Sequence, residues 1–244
     1  MADAGRPVRL GFLYPGHAAE DDYPLMADRL DPHPVVQVVH TEMAEDAHRV
    51  DALLEIGGPG PLADGAAQLD DVDAVLWACT SGSFVFGMDG ARGQVAPLGD
   101  MLGVPASSTS FAFVEAIRAV GADRVAVAAT YPPDVVEAFV SFLGEAAITV
   151  VSSGAEDIIT AAEVGTLGPE RVRRFVTSGD HPDAQAVLVP DTALHTVGVV
   201  EELEAALGKP VLTANVVTMW EALRLAGALG ATRARGLGRL FAAA

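Results

Sequence analysis

Asp73-Ala74-Val75-Leu76-Trp77-Ala78-Cys79-Thr80 is answered later in the chain by Gln185-Ala186-Val187-Leu188-Val189-Pro190-Asp191-Thr192, an offset of 112 residues (185 against 73). Each is a short apolar run ending in small or polar residues, the form of a strand buried on both faces of a sheet. Working outward, Val8-Arg9-Leu10-Gly11-Phe12-Leu13-Tyr14-Pro15 pairs with Val125-Ala126-Val127-Ala128-Ala129-Thr130-Tyr131-Pro132. Phe113-Val114-Glu115-Ala116-Ile117-Arg118-Ala119-Val120-Gly121 pairs with Met219-Trp220-Glu221-Ala222-Leu223-Arg224-Leu225-Ala226-Gly227. One such pair would mean little, because apolar strands ending in small residues recur in every βα unit. Three pairs in one order indicate two copies of one α/β unit.

Strands are expected over 8–14, 35–40, 74–79, 104–108, 125–130, 148–152, 186–189 and 211–214. Amphipathic stretches over 44–54, 111–120, 135–143, 169–177 and 217–226 alternate with them and read as helices. The expected fold is α/β: two pseudo-two-fold-related, flavodoxin-like units, each a parallel sheet covered by helices. Residues 1–110 with 217–244 form the first half and 111–216 the second. Ligands of such sheets sit beyond the carboxyl ends of the strands, so the active site belongs in the cleft between the halves. Cys79 then opposes Asp191, and Tyr14 opposes Tyr131.

At 244 residues, with 50% hydrophobic and 20% charged residues, the chain is of ordinary globular composition, which excludes disordered and fibrous classes. A net charge of −18 opposes binding to phosphate backbones or anionic lipid, so neither nucleic acid nor membrane is an expected partner. The single cysteine, Cys79, excludes an internal disulfide or a thiolate metal cluster. Residues 1–7 lack an apolar leader core and no apolar run approaches the roughly 20 residues of a membrane span, so a cytoplasmic protein is expected. A homo-oligomer is compatible with the sequence, which does not specify one.

Cys79-Thr80-Ser81-Gly82-Ser83 ends a strand and precedes a helix start, converging hydroxyls and backbone N–H groups. Such a turn holds a carboxylate and favours a thiolate; the alternative is an inert buried cysteine. Asp191, followed by Thr192, is the natural opposing acid or base, or else the N-cap of a helix. Tyr14 and Tyr131 are placed to donate phenolic hydrogen bonds to substrate, although a tyrosine there also serves in packing. His195 stands at helical i+4 spacing from Asp191, able to orient it or simply to face solvent. His17, with Glu20, Asp21 and Asp22, forms an acidic loop suited to a lid or a substrate contact. Gly57-Gly58-Pro59-Gly60 follows a helix rather than a strand and reads as a turn, not a dinucleotide loop. His40, Glu42, Asp46 and His48 read as the solvated face of a charged helix, not as a metal cluster. With neither a ligand cluster nor a phosphate loop, no cofactor or metal is expected, and turnover should survive chelators.

The Cys-Thr-Ser strand end, the Thr130-Tyr131 strand end and the Trp220-Glu221-Ala222-Leu223-Arg224-Leu225-Ala226-Gly227 helix followed by Gly238-Arg239-Leu240-Phe241 resemble the aspartate/glutamate racemase superfamily over nearly the whole chain. The resemblance is nearest to its maleate cis-trans isomerase and arylmalonate decarboxylase branch. It implies cofactor-independent chemistry at carbon next to a carboxylate, with a small carboxylic acid as substrate. By position, Cys79 matches the first-half cysteine of the isomerases, where the decarboxylases usually carry glycine. Thr80, Ser81 and Tyr131 match the pocket that holds a carboxylate or its enediolate. Asp191 stands where both branches usually carry a second cysteine, and Gly16-His17 replaces the Asn-Thr that isomerases tend to place after the first strand. The resulting expectation is an isomerase or racemase with Cys79 as thiolate nucleophile or base, Asp191 as opposing acid or base, and Thr80, Ser81, Thr192 and Tyr131 stabilising an enediolate. An arylmalonate-type decarboxylase and a non-catalytic carboxylate-binding protein are the alternatives.

Overall fold

The computed structural model describes residues 6–243. The segment read for a leader, up to residue 5, lies outside the described residues. The strands are β1 (Arg9–Pro15), β2 (Leu30–Asp31), β3 (Val35–Thr41), β4 (Ala74–Trp77), β5 (Ala106–Ser108), β6 (Arg124–Ala129), β7 (Thr149–Ala155), β8 (Ala186–Val189), β9 (Val211–Thr213) and β10 (Arg233–Ala234). Two four-stranded sheets run in the orders β3-β1-β4-β5 and β7-β6-β8-β9, and every pairing within them is parallel. Apart from the short antiparallel β2–β10 pair, the second sheet repeats the first strand for strand. The duplicated sequence is therefore a duplicated, flavodoxin-like sheet order.

The strands read clearly because they are covered on both faces: every residue of β4 and of β8 is fully buried. Helix boundaries follow local chemistry. Ser108 caps the helix Thr109–Ala119, accepting from the N–H of Phe111, while Pro169 occupies the first turn of Pro169–Ser178 after Gly168. The repeat-equivalent helices Thr109–Ala119 and Ala214–Leu225 pack on each other, with the hydroxyls of Thr109 and Thr218 2.7 Å apart. One apolar core accordingly runs through both halves, from Phe12 and Trp77 through Phe113 and Met219 to Leu188. A smaller cluster, including Val172, Phe175 and Val189, lies on the other side of the second sheet. Among the described residues no helix is long and apolar enough to cross a membrane.

Two expected helical segments differ. The helix expected over 44–54 forms only as Val50–Ile56, and residues 42–48 carry no helix or strand. The segment after Asp191 is also not helical; turns occupy it until the helix Val200–Leu207 begins. In both, polar side chains bond to distant backbone and hold an irregular path that local periodicity does not reveal.

Candidate active site

β4 and β8 deliver Cys79 and Asp191 to one small cavity, which both residues line with Tyr14, Ser81, Thr192 and His48. Its volume is about 30 Å³, room for roughly one water. Met43, Ala47, Leu53, Ile56 and Ala161 form an apolar wall, and no lysine or arginine lines it.

Cys79 lies two residues before the helical turn Ser81–Phe84, and the N–H of Gly82 points at its Sγ from 3.3 Å. A Cβ at position 82 would lie 3.1 Å from that sulfur, tighter than ordinary contact, so glycine there leaves the sulfur its place. Gly57 is likewise pressed against this turn, since a Cβ on it would come within 2.2 Å of the Gly82 carbonyl oxygen. The turn expected at 57–60 thus supports the Cys79 turn from behind, and Pro59 opens the helix Pro59–Ala66. The thiolate expected at Cys79 is corrected by its surroundings. Burial pushes the thiol up to about 12, and the charge of Asp191 adds to the rise against the opposing N–H of Gly82 and hydroxyl of Ser81. At neutral pH the group is a thiol.

Asp191 is buried, and its carboxylate accepts from the hydroxyl of Thr130 and, at 2.9 Å, from the N–H of Ala193. These charge-assisted bonds offset its desolvation. The two tyrosines bracket it. Tyr14 donates to the carbonyl of Thr192 at 2.9 Å, and Tyr131 to the carbonyl of Pro190 at 2.7 Å. Burial raises both phenols above their usual range, so both remain donors. Expected to reach substrate, they instead spend their protons on the main chain either side of Asp191. Asp22, from the acidic loop, accepts from the N–H of Thr196 and from Asn215, each at 3.1 Å, and so fastens the same segment.

Sequence reasoning missed His48, which is buried rather than solvated and reaches the cavity from the irregular segment after β3. Its Nδ1 lies 3.0 Å from the carbonyl of Ile158, which only accepts, so Nδ1 carries the hydrogen. Nε2 then faces Asp191 Oδ2 at 4.0 Å. Thr130 was also passed over, although it belongs to the Thr-Tyr pair that marked the strand end. Of the expected residues, Thr80, Tyr131, His17 and His195 do not line the cavity. The Thr80 hydroxyl is buried without a partner. His195 does not orient Asp191; the turn carries its ring outward to Asp21, 2.8 Å away. His17 meets Glu20 at 3.1 Å on the surface.

The segment carrying His48 is strapped to the second half. Asp46 accepts from the N–H groups of Ala161 and Ala162 at 2.7 and 3.0 Å, and the N–H of His48 bonds to the carbonyl of Ile159 at 2.6 Å. With room for about one water, the cavity must widen to admit a larger molecule, and this strap forms part of its wall. Alkylation of Cys79 by iodoacetamide at pH 7 is therefore expected to be slow, because the thiol is both protonated and enclosed. Asp46→Ala should speed it about fivefold, the effect of a lost cap of about 1 kcal/mol on an opening equilibrium, with faster hydrogen exchange over 42–48. An unchanged alkylation rate would show that Asp46 does not hold the strap.

The arylmalonate decarboxylase family model matches residues 62–241. Arylmalonate decarboxylase of Bordetella bronchiseptica is 34% identical over 170 residues, covering 66% of this chain and 68% of that protein. Maleate isomerase of Nocardia farcinica is 26% identical over 187 residues, 74% of this chain and 70% of that protein. Among solved structures, a liganded arylmalonate decarboxylase variant, with one glycine changed to cysteine and one cysteine to serine, aligns with a TM-score of 0.85. It is 25% identical and covers 97% of this chain and 99% of that one. A cysteine-to-serine variant of Nocardia farcinica maleate cis-trans isomerase, holding a covalently bound succinylcysteine intermediate, shares the fold. Its TM-score is 0.82 at 24% identity, covering 97% of this chain and 98% of that one.

Proposed function

This chain belongs to the arylmalonate decarboxylase family, and from that premise we propose that it is a cofactor-independent isomerase or racemase of a small carboxylic acid, with maleate-like cis-trans isomerisation as the main reaction. The observation that carries the reading is the meeting of the Cys79 thiol with the Asp191 carboxylate and His48 imidazole at one cavity.

A buried thiol needs a proton acceptor before it attacks carbon. The proton passes from Sγ to the His48–Asp191 pair as sulfur adds to one alkene carbon of the substrate. The π pair moves into the neighbouring carboxylate, giving an enediolate with a single carbon–carbon bond. Rotation follows; the pair then re-forms the double bond as the carbon–sulfur bond breaks, and sulfur recovers its proton. Ser81 and Thr192, which line the cavity, with the N–H groups after Cys79, are suited to stabilise the enediolate, a contribution of a few kcal/mol in a dry site. On a saturated acid with a hydrogen next to the carboxylate, the His48–Asp191 pair removes that proton and the Cys79 thiol supplies one from the opposite face. The succinylcysteine of the Nocardia isomerase supports the nucleophilic role.

The apolar wall of Met43, Leu53 and Ile56 favours a second reading, arylmalonate-type decarboxylation, in which carbon dioxide leaves and the protonated thiol quenches the carbanion. Incubation with a panel of small carboxylates in deuterated water separates them. Maleate giving fumarate without carbon dioxide supports isomerisation; deuterium exchange next to a carboxylate supports racemisation. Loss of carbon dioxide with deuterium incorporation, and no isomerisation or exchange, would transfer the assignment to the decarboxylase.

A further inference from the structure

Parallel pairing of β1 with β3 places Tyr14 opposite His40, so the loop after β1 folds against the end of β3. There His17, Glu20 and His40 each present one ligand-type atom, all within 4.8 Å of one another. Glu20 Oε1 lies 3.1 Å from His17 Nδ1 and 3.9 Å from His40 Nε2. We propose that His17, Glu20 and His40 form a binding site for a divalent transition metal of the zinc class, separate from the Cys79–Asp191 cavity.

The surrounding bonds prepare the ligands. His40 Nδ1 lies 2.6 Å from the carbonyl of Gly16, so its hydrogen is on Nδ1 and its Nε2 lone pair faces Glu20. Imidazole metal ligands characteristically hold their second nitrogen in this way. The other Glu20 oxygen accepts from the N–H of Ala18 at 2.8 Å, which fixes the carboxylate with Oε1 turned toward the two imidazoles, where a cation would replace its 3.1 Å contact with His17 Nδ1. Two imidazoles and one carboxylate suit zinc, nickel or copper, whereas calcium and magnesium require mostly oxygen. The two rings are stacked at 3.8 Å between centroids, so metal entry turns the His17 ring, which is free to move because its side chain is 74% exposed. Three protein ligands leave a further position for water. None of the three lines the cavity, so the site ties the β1 loop to β3 without entering the proposed reaction.

The test is titration of metal-stripped, untagged protein with Zn²⁺ against a chromophoric chelator, repeated with Co²⁺ for its visible spectrum. One bound equivalent is expected. His17→Ala and His40→Ala should each weaken binding at least about tenfold and the double variant should abolish it, while Cys79→Ser changes nothing. The Co²⁺ spectrum should lack a sulfur charge-transfer band. Both histidines are at the surface, and circular dichroism confirms that the variants fold. No bound equivalent, binding unchanged in the double variant, or binding lost with Cys79→Ser would overturn the site.

Discussion

Cys79→Ala is expected to lower turnover by about 10⁴-fold or more with little effect on the fold, the scale seen when a covalent nucleophile is removed. No other cysteine exists, and neither water nor a carboxylate matches sulfur as a nucleophile toward an activated alkene. The loss should fall on kcat, because the groups that hold the carboxylate remain. Removing one buried sulfur leaves a small void, which costs stability about 1 kcal/mol and moves the melting temperature by a few degrees. Progress curves on the substrate found in the panel, with thermal unfolding alongside, check both halves. Near-native turnover would reduce Cys79 to a packing residue, and the family fold would stand without the mechanism.

Asp191→Asn should cost about 10² to 10³ in turnover, within the usual range for a positioned acid or base. Residual activity is expected through His48, with an altered pH profile, because the amide still accepts from Ala193 N–H while the charge is gone. The same variant should move cysteine reactivity the other way. The Asp191 charge raises the Cys79 thiol, so neutralising it lowers the thiol toward its ordinary range and more thiolate is present at any pH below that value. Iodoacetamide should then modify Cys79 faster while turnover falls. A merely structural Asp191 would not divide the two readouts. Asp191→Cys should restore the two-cysteine arrangement usual in the family and retain more activity than Asp191→Asn.

Much of this was legible in the chain. The strands announced themselves because burial on both faces requires continuous apolar runs, and the repeat put Cys79 and Asp191 at equivalent strand ends. What escaped reading lies where side chains bond to remote backbone. Asp46 and His48 sit in a segment whose spacing mimics a helix, yet their partners are residues 158–162, more than a hundred positions away. His195 has helical spacing from Asp191, but Tyr14, Asp22 and Asn215 hold the intervening turns and swing it outward. The thiolate expectation failed for an energetic reason: one N–H at 3.3 Å does not outweigh complete burial beside a carboxylate. The Tyr14 and Tyr131 hydroxyls look like substrate donors until the two carbonyls beside Asp191 are located.

Intact-protein mass spectrometry of the Asp191→Asn variant with maleate tests the central claim most directly, because slowed turnover lets the sulfur–carbon adduct accumulate. One added substrate mass is predicted, mapping to Cys79 on digestion and absent from Cys79→Ala. An unmodified Cys79 in a variant that still turns maleate over, or an adduct at any other residue, would contradict the account.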